Sequence, residues 1–235
     1  MGARLLVVED DDRVRAALRL ALEDEGYEVT ESPSAEDALV AVRRHPPDLM
    51  LVDLMLGGMD GFACIREVRR SHDVPIIVLS ARADSHDIVA ALEAGADDYV
   101  SKPFELQELT ARLRALRRRA RPGRRTDSLQ DVVLEAHPRE PLVLSPSTAI
   151  VRRGDRDLRL TLTEYRLLCE LVNMHGQVLD RGTLLERVWE RGFFGDDRII
   201  DVHIRRLRTK IEQDPAHPHV VKTVRGSGYR VDIVA

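Results

Sequence analysis

Glu9, Asp10 and Asp53 are the acids best placed to do chemistry, because each follows directly on an apolar run: Leu5 to Val8 leads into Glu9 and Asp10, and Leu49 to Val52 leads into Asp53. A buried parallel strand reads as an unbroken Val, Ile and Leu run, and open α/β sheets bind ligands just beyond the carboxyl ends of their strands. The three carboxylates are therefore expected to converge. Crowded acids repel at neutral pH, which a hard, oxygen-seeking cation such as Mg²⁺ relieves. Two further segments end in useful groups: Val74 to Ser80, where Pro75 opens an apolar strand and Ser80 closes it with a hydroxyl, and Tyr99-Val100-Ser101-Lys102-Pro103. Lys102 is one of three lysines in a chain that otherwise uses arginine, and a compact ammonium suits a point contact to a phosphoryl oxygen. Pro103 is expected to follow a cis bond that aims the lysine inward. The plainer alternatives are a solvated loop lysine at 102 and a helix cap at Ser80.

Helices must lie between these strands. Val14, Ala17, Leu18, Ala21 and Leu22 repeat at helical spacing, as do Ala35, Ala38, Leu39 and Val42, and Leu106, Leu109, Leu113 and Leu116; these read as core stripes on both faces of a sheet. With these motifs in place, the first half resembles a response-regulator receiver domain end to end. The resemblance implies a flavodoxin-like, doubly wound parallel five-stranded sheet of order 2-1-3-4-5. It makes Asp53 the phosphoacceptor and gives Mg²⁺ to Glu9, Asp10, Asp53 and the Met55 backbone. It also implies that Ser80 and Lys102 contact the phosphoryl group and that Tyr99 swings inward when Ser80 moves. A carboxylate can attack a phosphoryl group to form an acyl phosphate, the protein supplying position and charge neutralisation.

The sequence departs from that family in two places. Relatives usually carry proline where Gly57 stands, so the turn Gly57-Gly58-Met59-Asp60-Gly61 is expected to be looser by backbone entropy. Relatives dimerise through the face of the fourth helix, fifth strand and fifth helix, to which Ile88, Glu93, Asp97, Asp98, Arg112 and Arg119 correspond. Ile88 occupies a usual arginine position, so a family ion pair that would involve Glu108 is expected to be missing; exposed pairs contribute only about 0–1 kcal/mol each.

The chain has 235 residues and a net charge of −4, enough for one or two domains. Residues 1 to 118 carry 15 Lys and Arg against 23 Asp and Glu, whereas the remainder carries 21 against 17. The basic excess thus lies in the second half and points toward a polyanion. Cys64 and Cys169 lack metal spacing and read as buried thiols in a reducing compartment. No apolar run approaches the roughly 20 residues that span a bilayer and no signal peptide follows Met1, so a cytoplasmic protein is expected.

Domain bounds of 1–120 and 141–235 are expected, with residues 121–140 as linker. Arg117 to Arg125 contains Pro122 and Gly123 and no apolar stripe, while Val132 and Val133 are compatible with linker or strand. In the second half, short strands are expected at Leu142 to Leu144, Thr148 to Val151 and Leu158 to Leu160. A helix capped by Thr163, another over Arg181 to Trp189 and a third from Asp197 to about Gln213 follow. Along the third, Ile200, Ile204, Leu207 and Ile211 form the expected buried stripe, with Arg198, Val202, Arg205, Arg206 and Thr209 facing away. Such a helix fits a DNA major groove, arginine reading guanine and valine a thymine methyl, although a solvated basic helix would look alike.

Val220 to Arg225, Gly226-Ser227-Gly228 and Tyr229 to Ile233 then read as a hairpin with Arg225 at its tip. Helix and hairpin together resemble the α+β winged helix-turn-helix effector domain of the OmpR/PhoB family. That likeness implies base contacts from Arg206 and Val202. It implies phosphate contacts from Arg198, His203, Arg205, Arg208, Thr223 and Tyr229, a minor-groove Arg225, and an RNA polymerase contact at 190–196. The function expected is that of a non-enzymatic two-component transcription regulator, a sensor histidine kinase phosphorylating Asp53, a receiver dimer forming and the pair binding promoter half-sites, as direct repeats. A regulator that binds DNA without phosphorylation, its receiver serving only to dimerise, is the rival. A haloacid-dehalogenase-like phosphatase needs a second acid two residues after Asp53, where Met55 stands. A dinucleotide fold needs glycines where Asp10-Asp11-Asp12 stand.

Overall fold

A computed structural model describes residues 2–81, 85–119, 130–189 and 197–233. The chain divides into two compact units, Met1–Ala120 and Arg121–Ala235. In the first, β1 (Ala3–Val8), α1 (Asp12–Asp24), β2 (Tyr27–Ser32), α2 (Ala35–Arg44) and β3 (Leu49–Asp53) are followed by α3 (Gly61–Arg69), β4 (Ile76–Ser80), α4 (Ser85–Ala94), β5 (Asp98–Ser101) and α5 (Leu106–Arg119). The strands form one parallel sheet of order β2-β1-β3-β4-β5, the order that the family resemblance implies.

The register sets the site. Val8 lies beside Val52, Asp53 beside Leu79, and Ser80 beside Ser101, so the carboxyl ends of β1, β3, β4 and β5 finish at one level. Every residue of β3 and β4 is buried because helices cover both sheet faces, which is why these strands are unbroken apolar runs. β2 is an edge strand whose buried ends are Tyr27 and Ser32; its polar middle left no apolar run to read. Ala35, Ala38, Leu39 and Val42 bury the inner face of α2, whereas on α5 Leu109, Leu113 and Leu116 are buried and Leu106 is partly exposed.

The second unit opens with β6 (Val132–Glu135), β7 (Leu142–Ser145), β8 (Ile150–Arg153) and β9 (Arg156–Leu158), an antiparallel sheet in chain order. Val132 pairs with Leu144, so part of the stretch expected to be linker is a strand. Three helices follow, α6 (Leu162–Asn173), α7 (Arg181–Trp189) and α8 (Arg198–Ile211), and then the hairpin of β10 (Val221–Val224) and β11 (Gly228–Val231). The cap of α6 is Thr161, not Thr163: its side chain accepts from the Glu164 amide while the Glu164 carboxylate accepts from the Thr161 amide, a reciprocal capping box.

Two devices fix the hairpin. The Glu212 carboxylate, just past α8, accepts from the amides of His219, Val220 and Val221 at 3.0, 3.1 and 2.8 Å. Leu179 and Tyr229 exchange backbone hydrogen bonds of 2.8 and 2.9 Å. At Gly228, φ is +141° and a Cβ would stand 2.1 Å from the Leu179 oxygen, so only glycine permits that approach. Among the described residues no helix is long and apolar enough to cross a membrane.

Candidate functional site

At the carboxyl ends of the strands, Lys102 joins the acids. Its Nζ lies 2.5 Å from Asp53 Oδ2 and 2.7 Å from Glu9 Oε2, and the Lys102–Pro103 peptide is cis. The Lys102 amide donates to the Ser80 oxygen at 2.7 Å, setting the lysine beside the end of β4. The other Asp53 oxygen accepts from the Met55 amide at 2.9 Å. Asp53, Glu9, Ser80 and Tyr99 are all buried. Burial pushes the Glu9 carboxyl above its ordinary value, with Asp53 adding repulsion and Lys102 opposing both. Burial also pulls on the Lys102 ammonium, but its hydrogen bonds to Asp53 and Glu9 and their charges prevail and hold it above the usual lysine value. The result is a carboxylate fixed at both oxygens beside a charged amine.

Asp10 takes a different direction from the one expected. Its Oδ2 accepts from the Gly57 amide at 3.2 Å, and Asp11 caps α1 through the amides of Arg13 and Val14. These two backbone bonds, Val14 foremost, hold the Asp11 carboxyl below its ordinary range. Among the described residues no three His, Cys, Asp or Glu side chains are gathered closely enough to hold a metal ion, because Lys102 stands between Glu9 and Asp53 and Asp10 leans to the opposite loop. The donor set still fits Mg²⁺ in chemistry: carboxylate and carbonyl oxygens only, with three acids against one ammonium.

The surrounding supports were not read from sequence. Arg15 Nη1 donates to the carbonyls of Glu9 and Asp10 at 2.8 and 3.3 Å and pairs with Asp12, pinning the acidic turn. Glu36 accepts from the Met59 amide at 3.2 Å. The loop after β3 is thus tied at Gly57 and at Met59. At Gly61 a Cβ would fall 2.3 Å from the Asp53 oxygen, so glycine lets α3 start against the end of β3.

The proposed dimer face needs correction. Asp97 is 0% exposed; its Oδ2 accepts from Arg69 at 2.8 Å and from the Ile76 amide at 3.0 Å. It ties α3 to the start of β4 and presents nothing to a partner. Asp98 is also buried and pairs with Arg112 at 3.1 Å within the chain, and Arg112 pairs with Glu108 at 2.7 Å. Burial opposes the charge on Arg112, but Asp98 and Glu108 outweigh it and raise its pKa. Glu93 is exposed and Ile88 half-buried, while the Arg119 side chain lies outside the described residues.

In the second unit α8 buries a wider face than the expected stripe. Val202 is 7% and His203 0% exposed, with the His203 ring 5.2 Å from that of Trp189, so neither offers a surface contact. Arg206 points to the 0% exposed Glu164 at 2.9 Å, which also takes Lys210 at 2.6 Å, so the guanidinium expected to read bases is held in an ion pair. Tyr229 is likewise buried, its hydroxyl donating to Asp201 at 2.6 Å. Burial first, then that bond, pushes its phenol up to about 12.

Arg181 and Arg208 stand over the Tyr229 ring at 5.3 and 5.6 Å. Arg181 also donates to Asp201 at 2.7 Å, while Arg208 donates to the Val221 oxygen and Thr223 hydroxyl at 2.9 and 2.8 Å. Burial is the first reason that the Arg208 pKa is lowered. Arg198, Arg205, Thr209, Thr223 and Arg225 are exposed, leaving a basic, hydroxyl-bearing surface on α8 and the hairpin. The loop 190–196 lies outside the described residues. Arg181 and Asp201 were missed because they meet across 20 residues of sequence. Glu164 was legible as the last residue of the Thr161-Leu162-Thr163-Glu164 pattern.

Comparison with known proteins assigns both units. Residues 5–114 match the response regulator receiver domain family, and residues 155–231 match the family described as transcriptional regulatory protein, C terminal. The chain is 46% identical to the transcriptional regulatory protein AfsQ1 of Streptomyces coelicolor over 230 residues, 97% of each chain. It is 42% identical to the DNA-binding response regulator MtrA of Mycolicibacterium smegmatis, covering 98% of this chain and 97% of that one. Among solved structures, a mutant of RitR is similar with a TM-score of 0.75 at 28% identity, covering 98% of this chain and 99% of that one. DrrB of Thermotoga maritima, an OmpR/PhoB homologue, gives a TM-score of 0.51 at 28% identity, covering 99% of this chain and 100% of that one.

Proposed function

From the premise that the chain belongs to the OmpR/PhoB-type two-component response regulators, transcription regulators with a DNA-binding domain, we propose that Asp53 is the phosphoacceptor and that its phosphorylation strengthens promoter binding. The observation that carries this reading is the placement of Lys102 between Asp53 and Glu9 at the carboxyl ends of the sheet. An Asp53 oxygen attacks the phosphorus of a phosphohistidine on the partner kinase. The new bond is an acyl phosphate, the bond from phosphorus to the histidine nitrogen breaks, and the imidazole takes up a proton as it leaves. Lys102 moves its ammonium from the carboxylate to a phosphoryl oxygen, and the Ser80 hydroxyl donates to another. Glu9, Asp10, Asp53 and the Met55 carbonyl are the groups that would hold Mg²⁺, which when bound neutralises phosphoryl charge. Tyr99, buried on β5 beside Val78 of the strand that ends in Ser80, is the side chain that follows the movement of Ser80 on this reading.

Phosphorylation then favours a receiver dimer. Two linked DNA-binding units gain effective concentration at repeated half-sites, read here as direct repeats, so affinity rises without a new base contact. Arg198, Arg205, Thr223 and Arg225 carry the DNA contacts on this reading, and the segment 190–196 meets RNA polymerase. The test is the affinity of wild type and Asp53→Asn for a selected promoter fragment, with and without acetyl phosphate and Mg²⁺. The wild type is expected to bind about tenfold or more tightly when phosphorylated, within the range that avidity supplies, and Asp53→Asn to be indifferent. Equal wild-type affinities in both conditions would favour the regulator that works without phosphorylation.

A further inference from the structure

We propose that Asp201 is a positioning residue for DNA binding, an acid that strengthens the complex by setting the hairpin against α7 and α8; this rests on the reading above of α8 and the hairpin as the DNA-contacting surface. Charge alone argues the other way. The Asp201 side chain is 44% exposed on the helix that carries Arg198 and Arg205, and an acid beside phosphates repels them. Its contacts give it another task. Oδ1 accepts from the Tyr229 hydroxyl at 2.6 Å and from Arg181 Nε at 2.7 Å, while Oδ2 accepts from Arg181 Nη2 at 3.3 Å. One oxygen thus joins α8 to β11 and to the first turn of α7. Tyr229 is where the three elements meet: Arg181 and Arg208 lie against its ring, and its backbone is bonded to Leu179 just ahead of α7. Across the hairpin Tyr229 pairs with Thr223, whose hydroxyl accepts from Arg208. Asp201 and Arg208 stand about two helical turns apart on one face of α8, so the helix grips β11 through one and β10 through the other. Two grips fix an angle where one leaves a pivot. That angle decides whether the exposed Arg225 at the tip reaches DNA while Arg198 and Arg205 are in contact. A surface arranged before binding loses less freedom when DNA arrives.

Affinity of the full chain for a promoter fragment selected from random duplexes, at one salt concentration, separates the two roles by sign. Asp201→Ala, folded by circular dichroism, is expected to bind about fivefold to twentyfold more weakly, the range of one or two lost hydrogen bonds. A carboxylate that only repelled phosphates would give tighter binding when removed. Asp201→Asn can place its amide oxygen where Oδ1 stands and keep both short bonds, so it is expected to recover most of the loss. The hairpin tip reports the coupling. Arg225→Ala is expected to weaken wild type by about fivefold and the Asp201→Ala protein by less than about twofold, a non-additivity that lost stability alone does not produce. Equal fold-losses from Arg225→Ala in the two backgrounds, or Asp201→Ala binding as tightly as wild type or more so, overturns the proposal while leaving the DNA-contact reading intact. Arg205→Ala and Arg225→Ala each binding as well as wild type overturns both. Where Asp201→Ala does not fold, Tyr229→Phe keeps the ring, removes only the hydroxyl, and takes its place in the same cycle with the same two outcomes.

Discussion

Asp97→Ala is expected to destabilise the protein by about 3–5 kcal/mol, the cost of breaking a buried ion pair from one side. Asp97 is fully buried and receives both Arg69 and the Ile76 amide. Arg69 in turn donates to the oxygens of Gly95 and Val74, at 2.9 and 2.5 Å. The pair therefore knots the end of α3, the approach to β4 and the turn before β5. Removing the carboxylate leaves a guanidinium that is mostly enclosed and an amide with no acceptor. Asp97→Asn keeps an acceptor for Ile76 and is expected to cost less. The readout is urea denaturation followed by far-UV circular dichroism, with fluorescence of Trp189, the single tryptophan, reporting the other unit. A loss under about 1 kcal/mol, the worth of an exposed pair, would return Asp97 to the surface role expected from family resemblance.

Glu164→Ala is expected to be comparably severe, about 3–5 kcal/mol, for the same reason in the second unit. Glu164 is fully buried, closes the capping box of α6 and binds Arg206 and Lys210 from α8. Lys210 is partly exposed and can turn to water; Arg206 is nearly enclosed and cannot without unpacking α6 from α8. Trp189 is buried, so the fluorescence transition reports the loss. Replacing Glu164 and Arg206 together by leucine is expected to recover much of it, since well-packed apolar residues often match a buried pair. If the double variant is as unstable as the single, the damage comes from the helix cap and not from the stranded guanidinium.

Much of the architecture was legible because burial wrote itself into the sequence. β3 and β4 are unbroken apolar runs, and the groups at their ends, Asp53 and Ser80, stand where those runs stop. β2 was not, since an edge strand with a solvated middle has no such run. Spacing predicted one stripe on α8, but the helix is covered on a broader arc that takes in Ile199, Val202 and His203, because other elements of its unit pack across it. Adjacent acids posed a similar limit: nothing in Asp97-Asp98 says that the first meets Arg69 and the second Arg112. The strand-end acids Glu9 and Asp53 and the lysine beside them were legible by type, whereas their supports were not. Arg15 acts on backbone oxygens, Gly57 acts through an N–H common to almost every residue, and Glu36 reaches a loop 23 residues on.

Intact-mass spectrometry after treatment with acetyl phosphate and Mg²⁺ tests the central claim most directly. Wild type is expected to gain a single phosphoryl mass of about 80 Da that is lost at alkaline pH, and Asp53→Asn to gain none. No adduct on wild type, or an adduct that persists in Asp53→Asn, would contradict the assignment of Asp53 as the phosphoacceptor.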